Sequence, residues 1–278
     1  MIQLDNDELR KLQLTELELL IEFDRVCRKN HIRYTLTGGT LLGAVRHGGF
    51  IPWDDDADVS MLRVEYEKFR KACETDLGDS YYFQDMKNTH GYRWGYGKLR
   101  KRNTLFLREH QEHMPYEQGV FIDVFPRDGV PDNAMERKLH KFQCFCVRKT
   151  LWSEVGKVAH DKWHMRAWFR FLSWLAGNRI FGIYDRLVEK SNRKKTKLVR
   201  NLTFPVPGGR DGYLREWYDE STELEFEGHR FMVNKAYRKW LEQEFGDYLT
   251  LPSVEKRKVH PVVKIILEDG AISEGAIL

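Results

Sequence analysis

The chain is poor in the residues that staple or break a fold, with 4 cysteines and 8 prolines among 278 residues. Cys27, Cys73, Cys144 and Cys146 form no C-x-x-C pair, and none has a histidine partner at zinc spacing. Cys144 and Cys146 are too close in the chain for an easy bridge. A disulfide scaffold and a structural zinc site are thereby excluded, and the expectation is reduced thiols in a cytoplasmic protein. Long hydrophobic runs are missing too: no stretch reaches the roughly 18 apolar residues of a membrane span. The opening residues Met1 to Glu8 are acidic and lack an apolar segment, which predicts neither export by a signal peptide nor a membrane-spanning chain. Nor is there an excess of one charge, since 46 Lys and Arg against 42 Asp and Glu leave +4, too little to demand a nucleic-acid partner. Without repeats or low-complexity tracts, the composition excludes disorder, collagen and coiled coil.

What remains is a globular chain long enough for one large domain or two modest ones with a sizeable core. Asp5 followed by Glu8 predicts a helix N-cap, and Leu9, Leu12, Leu19, Leu20, Phe23 and Cys27 keep helical spacing up to Asn30. Ile32, Tyr34 and Leu36 alternate with polar residues before Gly38-Gly39, which predicts a strand entering a tight turn, and Thr40 to Arg46 predicts a short helix. Ala57, Val59 and Met61 alternate with Asp56, Asp58 and Ser60, a strand whose start is acidic. A helix over 64–73 and strands near 81–86, 94–100 and 120–125 follow. The fold class is therefore α/β (α+β), with a unit ending near Pro131, a mainly helical aromatic and basic region over 132–200, and a C-terminal segment over 201–278. That last segment contains a predicted helix over 235–245 and a tail left unassigned beyond Leu251.

Two aspartates at i and i+2 on a strand point the same way, so Asp56 and Asp58 could grip one divalent cation. Gly38-Gly39, in a turn that opens a helix, lets backbone N–H groups approach an anion. Asp123, within the apolar run Val120 to Phe125, is costly to bury without a partner or a metal and is the third candidate ligand. Together these suit phosphoryl transfer, which needs a cation on the transferring group and donors for the other phosphate oxygens. Lys98, Arg100 and Arg102 would share a face if their strand extends that far, and such a row suits a diphosphate. The opposing reading of that row is a solvated basic face. An EF-hand is a rival for Asp54, Asp56, Asp58 and Glu65, but Val59 stands where that loop needs glycine.

The stretch from Thr37 to Asp58, TGGTLLGAVRHGGFIPWDDDAD, closely resembles the LicD family, which includes bacterial phosphocholine transferases and is related to fukutin and fukutin-related protein. Lys98-Leu99-Arg100 with Asn103-Thr104, Gly119 to Pro126, Phe245 to Tyr248 and Leu251-Pro252 extend the resemblance over most of the chain, leaving no motif between Asp132 and Lys197. The resemblance implies a nucleotidyltransferase-like mixed sheet flanked by helices, with a helical insertion. It also implies Mg²⁺ (or Mn²⁺), a CDP-linked small-molecule donor, and a glycan or lipid-linked glycan acceptor such as a teichoic acid or lipopolysaccharide precursor, with release of CMP. By that carry-over Asp56, Asp58 and Asp123 are catalytic metal ligands, Gly38, Gly39 and Thr40 cradle phosphate with Lys98 and Arg100, and Asp54 lies nearby. A choline head would need aromatic faces, for which Trp94, Tyr96 and Trp53 are candidates, each with a core alternative. A nucleotidyltransferase acting on a small molecule, a sugar-nucleotide glycosyltransferase and a non-catalytic glycan-binding module are the competing functions. Finally, Trp163, Ala167, Phe171 and Trp174 share one helical face near His164, Arg166, Arg170 and Arg179. That face is expected either to pack on the core or to contact a membrane surface from the cytoplasmic side.

Overall fold

The computed structural model describes residues 4–253, 255, 257, 262–267 and 270–274. In chain order its elements are α1 (Asn6–Lys29), β1 (Thr35–Leu36), α2 (Gly38–His47), β2 (Asp58–Leu62), α3 (Arg63–Asp76), β3 (Tyr81–Gln84), β4 (Gly97–Lys101), β5 (Leu105–Arg108) and β6 (Phe121–Val130). Four helices follow: α4 (Ala134–Leu151), α5 (Ser153–Ala159), α6 (Trp163–Ala176) and α7 (Arg179–Asn192). The chain continues through β7 (Leu198–Arg200), β8 (Tyr213–Leu214), β9 (Ser221–Phe226), β10 (His229–Asn234), α8 (Tyr237–Phe245), β11 (Val262–Leu267) and β12 (Gly270–Glu274).

The first helix forms as its caps dictate. Asp5 accepts from the N–H groups of Asp7 and Glu8, and Glu8 accepts from the Asp5 N–H, so the donors of the first turn are satisfied reciprocally. Its apolar stripe buries Leu12, Leu19, Leu20 and Phe23 completely, and Phe23 meets Tyr34 and Phe69 edge to face or tilted at 4.9 and 4.6 Å. Together with α3 this helix covers a mixed sheet of order β1-β2-β6-β4-β3, extended by β7 and β8 beside β6. Among the described residues only β2 and β6 run parallel; β1, β4 and β7 pair antiparallel with their neighbours. The fold is thus α/β with a mixed sheet flanked by helices.

Three differences from the sequence expectation bear on function. The acidic strand starts at Asp58, so Asp56 lies in the irregular approach to it and shares no strand face with Asp58. Pro52 and the turn closed by the Asp54 N–H on the Ile51 carbonyl hold that approach out of the ladder. The EF-hand alternative fails, because Asp58 enters a strand and Glu65 is buried at the start of α3, accepting from the Arg33 N–H. Beyond Leu251, where no element was assigned, β11 pairs with β5 and β12 to make a second sheet. The residues before β4 are also irregular, and that strand ends at Lys101. Arg102 is therefore exposed, donating to the Asp79 carbonyl rather than continuing a cationic row.

Candidate active site

Register places the chemistry. Asp58 on β2 lies directly beside Asp123 on β6, and Asp123 lies directly beside Lys98 on β4. Three adjacent strands thus carry an Asp–Asp–Lys row, and the Lys98 ammonium is ion-paired to Asp123 Oδ1. The glycine turn closes one end of the row. An ideal Cβ on Gly38 would stand 2.7 Å from Asp58 Oδ2, and one on Gly39 would stand 2.2 Å from Asp54 Oδ2. Gly38 also has φ +59, a conformation that disfavours side chains. Both carboxylates can therefore press against the N-terminus of α2 only because two glycines stand there. Thr37 makes no side-chain cap to that helix, so its first N–H groups are not taken by a hydroxyl.

The acidic approach segment is braced from outside. Gln13 on α1 donates to the Ile51 and Asp54 carbonyls at 3.3 and 3.0 Å. Glu227, at the β9–β10 turn, accepts from the Phe50 N–H and pairs with Arg10 at 2.6 Å. Thr40, expected at the phosphate, instead accepts the Asp58 N–H on its hydroxyl at 2.7 Å, tying α2 to the start of β2.

The electrostatics show what the site wants. Burial, then repulsion from Asp56 and Asp55, pushes the Asp54 carboxyl up to about 8. Burial, followed by Asp56, Asp123 and Asp54, holds Asp58 well above the ordinary carboxylate range. Glu16 on α1 is raised in the same way, by burial and then by Asp56, Asp55, Asp54 and Asp58, and its Oε2 is buried without a hydrogen-bond partner. Such a concentration of hard oxygen donors is stabilised by a divalent cation. Among the described residues no three acidic, histidine or cysteine side chains converge to enclose a metal. By its chemistry the donor set, carboxylate oxygens pressed against a glycine turn, is of the kind that suits Mg²⁺, which is ordinarily held by one or two carboxylates and completes its octahedron with water and substrate phosphate. The donor set and the glycine cradle thus both suit it.

Opposite the carboxylates sit cations. Burial pulls Lys98 down to about 7 against the pull of Asp123, with Arg108 and Arg100 adding to the fall. The Phe121 ring lies under all three: Lys98 at 3.3 Å, Arg100 at 5.0 Å and Arg108 at 5.0 Å from its centroid. Their bonding separates them. Arg100 is buried and donates to Gln84 Oε1 at 2.8 Å and to the Gly119 carbonyl at 2.6 Å. Nε and one terminal nitrogen of Arg108 are buried with no hydrogen-bond partner. Buried donors left open are costly and mark where an anionic oxygen would be welcome. The sequence reading missed Arg108, whose strand it did not assign, and missed Glu16, whose signal was a lone acid between Leu12 and Leu20 on the apolar stripe of α1. Arg100→Ala is therefore expected to lower the melting temperature with little change in donor KM, since each lost charge-assisted bond costs about 1.5–3 kcal/mol. Arg108→Ala should instead raise donor KM and leave the melting temperature nearly unchanged. Melting curves and steady-state kinetics on the two variants check both.

The aromatic candidates divide as well. Tyr96 packs at 4.6 Å on Phe125 and lies 6.5 Å from Trp94. Trp53 is elsewhere, 6.4 Å from His47 and 4.1 Å under the Arg257 guanidinium. Beside Trp94 and Tyr96 a cavity of about 210 Å³ opens, lined also by Tyr66, Tyr184, Asp85 and Asp185.

Comparison with known proteins matches this arrangement. Residues 31–163, which carry the glycine turn, the acidic segment, Lys98, Arg108 and Asp123, match the family described as LicD/FKTN/FKRP, nucleotidyltransferase domain. Over 264 residues the chain is 29% identical to lipopolysaccharide cholinephosphotransferase LicD of Haemophilus influenzae, covering 91% of this chain and 96% of that protein. Over 101 residues it is 60% identical to ribitol 5-phosphate transferase FKRP of Homo sapiens, covering 36% of this chain and 18% of that protein. Both relatives are named as transferases of a phosphate that carries an alcohol. Residues 31–163 thus match the LicD/FKTN/FKRP nucleotidyltransferase domain, and the chain is similar to a LicD protein over most of its length.

Proposed function

We propose that the protein is a Mg²⁺-dependent transferase that moves a phospho-alcohol, phosphocholine first among them, from a CDP-linked donor to a hydroxyl of a cell-surface glycan precursor. The observation that carries this reading is the Asp58–Asp123–Lys98 row against the Gly38–Gly39 turn. Bound Mg²⁺ would neutralise charge on the donor phosphates, and one or two carboxylates of the cluster, Asp58 foremost with Asp123 beside it and Asp54 and Asp56 in the approach, would hold it.

The chain's own groups supply the rest. The acceptor oxygen forms a bond to the transferred phosphorus as the bond to the CMP oxygen breaks, and the acceptor proton must leave to a base. A carboxylate of the acidic segment that the cation does not engage would take it. CMP departs with the electron pair of the broken bond. The open nitrogens of Arg108 and the Lys98 ammonium, when charged, suit that growing negative charge. For the alcohol, the cavity walled by Trp94, Tyr96, Tyr66 and Tyr184 offers aromatic faces to a quaternary ammonium, and its acidic lining, Glu67, Asp85, Asp185 and Glu189, outnumbers the cations Arg63 and Lys87.

The test offers CDP-choline, CDP-ethanolamine, CDP-glycerol and CDP-ribitol with Mg²⁺ and glycan acceptors and measures CMP. Acceptor-dependent CMP release, fastest from CDP-choline, is expected, with loss in EDTA and recovery in Mg²⁺ or Mn²⁺. Release of pyrophosphate from a nucleoside triphosphate instead, with the nucleotide joined to the acceptor, would assign a nucleotidyltransferase; no turnover with any donor would leave a binding module.

A further inference from the structure

The outer face of α6 is apolar where a packed helix would not be. Trp163 is 75% exposed, Trp168 51%, Phe171 47% and Trp174 76%, whereas Phe169 is the buried residue of this helix, set against Trp152. The core alternative for these aromatics is therefore wrong: helical spacing turns Trp163, Ala167, Phe171 and Trp174 away from the protein. Trp168, Phe171 and Trp174 form a contiguous strip, with ring centroids 6.0 and 6.1 Å apart. The strip is flanked by cations. From Lys162 to Tyr184 there is no acidic residue, and Lys162, Arg166, Arg170 and Arg179 are exposed. Among the described residues none of these four side chains makes an ion pair or hydrogen bond.

We propose that this face of α6 docks on an anionic lipid bilayer, lying in the plane of the headgroups with the three tryptophans and Phe171 at the acyl boundary. Exposed tryptophan beside unpaired arginine and lysine is the composition that interfacial helices use, the rings taking the boundary and the cations the lipid phosphates. A second copy of the chain is the poorer occupant. A two-fold contact through this face would set Arg166 and Arg170 against their own copies, with no carboxylate between them to relieve the repulsion. This inference deepens the proposed function by giving the place where a lipid-carried acceptor meets the enzyme, and it rests on that reading only for its purpose.

The experiment is therefore run on the full chain without donor or acceptor. Vesicles of phosphatidylcholine alone and of phosphatidylcholine with phosphatidylglycerol are sedimented with the protein, and tryptophan emission is recorded. Co-sedimentation with the anionic vesicles alone is expected, with a blue shift and with release at high salt. A variant carrying Phe171→Ser and Trp174→Ser, and another carrying Arg166→Glu and Arg170→Glu, should each bind about tenfold or more weaker. Both should keep the wild-type circular dichroism and the wild-type CMP release with a water-soluble acceptor. Wild-type protein that stays in the supernatant at low salt, either variant binding like wild type, or concentration-dependent dimers abolished by Trp174→Ser would each overturn the proposal. A protein that binds vesicles but transfers nothing would instead count against the proposed function alone.

Discussion

Gly39→Ala is expected to lose at least about a hundredfold in kcat/KM while folding normally, because a misplacement of about 1 Å at a reacting centre costs that much. The added Cβ would fall 2.2 Å from Asp54 Oδ2, a distance that a non-bonded carbon and oxygen do not sustain, and its other near neighbours belong to the same carboxylate. The carboxylate is the free end of a side chain and can swing aside, so the backbone and the core are spared. What is lost is the position of an oxygen that the site needs and the access of phosphate to the start of α2. Gly43→Ala is the control that separates these effects. Its Cβ would lie 2.4 Å from the Gly49 carbonyl, which is backbone, so there the cost is a lower melting temperature. Kinetics and thermal melts on the pair should split cleanly; a Gly39→Ala enzyme with wild-type kcat/KM would remove the glycine turn from the reaction.

Asp58→Asn is the second large effect, and it should move activity and stability in opposite directions. Transfer is expected to fall by a factor on the order of a thousand or more, since the neutral amide neither holds a cation well nor accepts a proton. The cation-free protein should nevertheless melt higher than wild type, because one of the charges repelling Asp54, Asp56 and Asp123 is gone. The sign of the pH dependence follows from the same repulsion. The Asp54 carboxyl rises from its ordinary value of 3.8 to about 8 on folding, so the folded state binds its proton more tightly than the unfolded state does. The resulting stability is present at low pH and is lost as pH rises through about 8. Mg²⁺, by favouring the ionised form, should add more to the melting temperature at pH 8 than at pH 5. In Asp58→Asn both the pH slope and the Mg²⁺ gain should shrink. A Mg²⁺ gain equal at the two pH values would argue that the cation binds elsewhere.

Much of this site was legible in the residues because its parts are local. The capping box at Asp5 and Glu8, the apolar stripe of α1 and the Gly38-Gly39 turn are all decided within a few residues, and the structure keeps them. Asp123 was visible as a charge that an apolar strand could not hold alone, and it has Lys98 and Asp58 as neighbours. What failed depended on distant partners. Alternation suggested that Asp56 belonged to the strand, but the brace from Gln13 and Glu227 holds the approach segment in its own shape. Lys98 and Arg100 sit two apart on one strand, yet Gln84 and the Gly119 carbonyl draw Arg100 into the framework. Arg108 was invisible because β5 pairs across the chain with β11, a strand more than 150 positions later, which no local pattern announces. The aromatics of α6 deceived in the other direction: their stripe is helical as read, but it faces outward.

The central claim is that this acidic row transfers a phosphate with its alcohol attached. Its most direct test is the mass of the acceptor after reaction with CDP-choline and Mg²⁺, for wild type and Asp58→Asn side by side. The account predicts an acceptor heavier by one phosphocholine unit, one CMP released per acceptor modified, and neither product from Asp58→Asn. An acceptor heavier by a nucleotide, or an Asp58→Asn protein that modifies the acceptor at the wild-type rate, would contradict it.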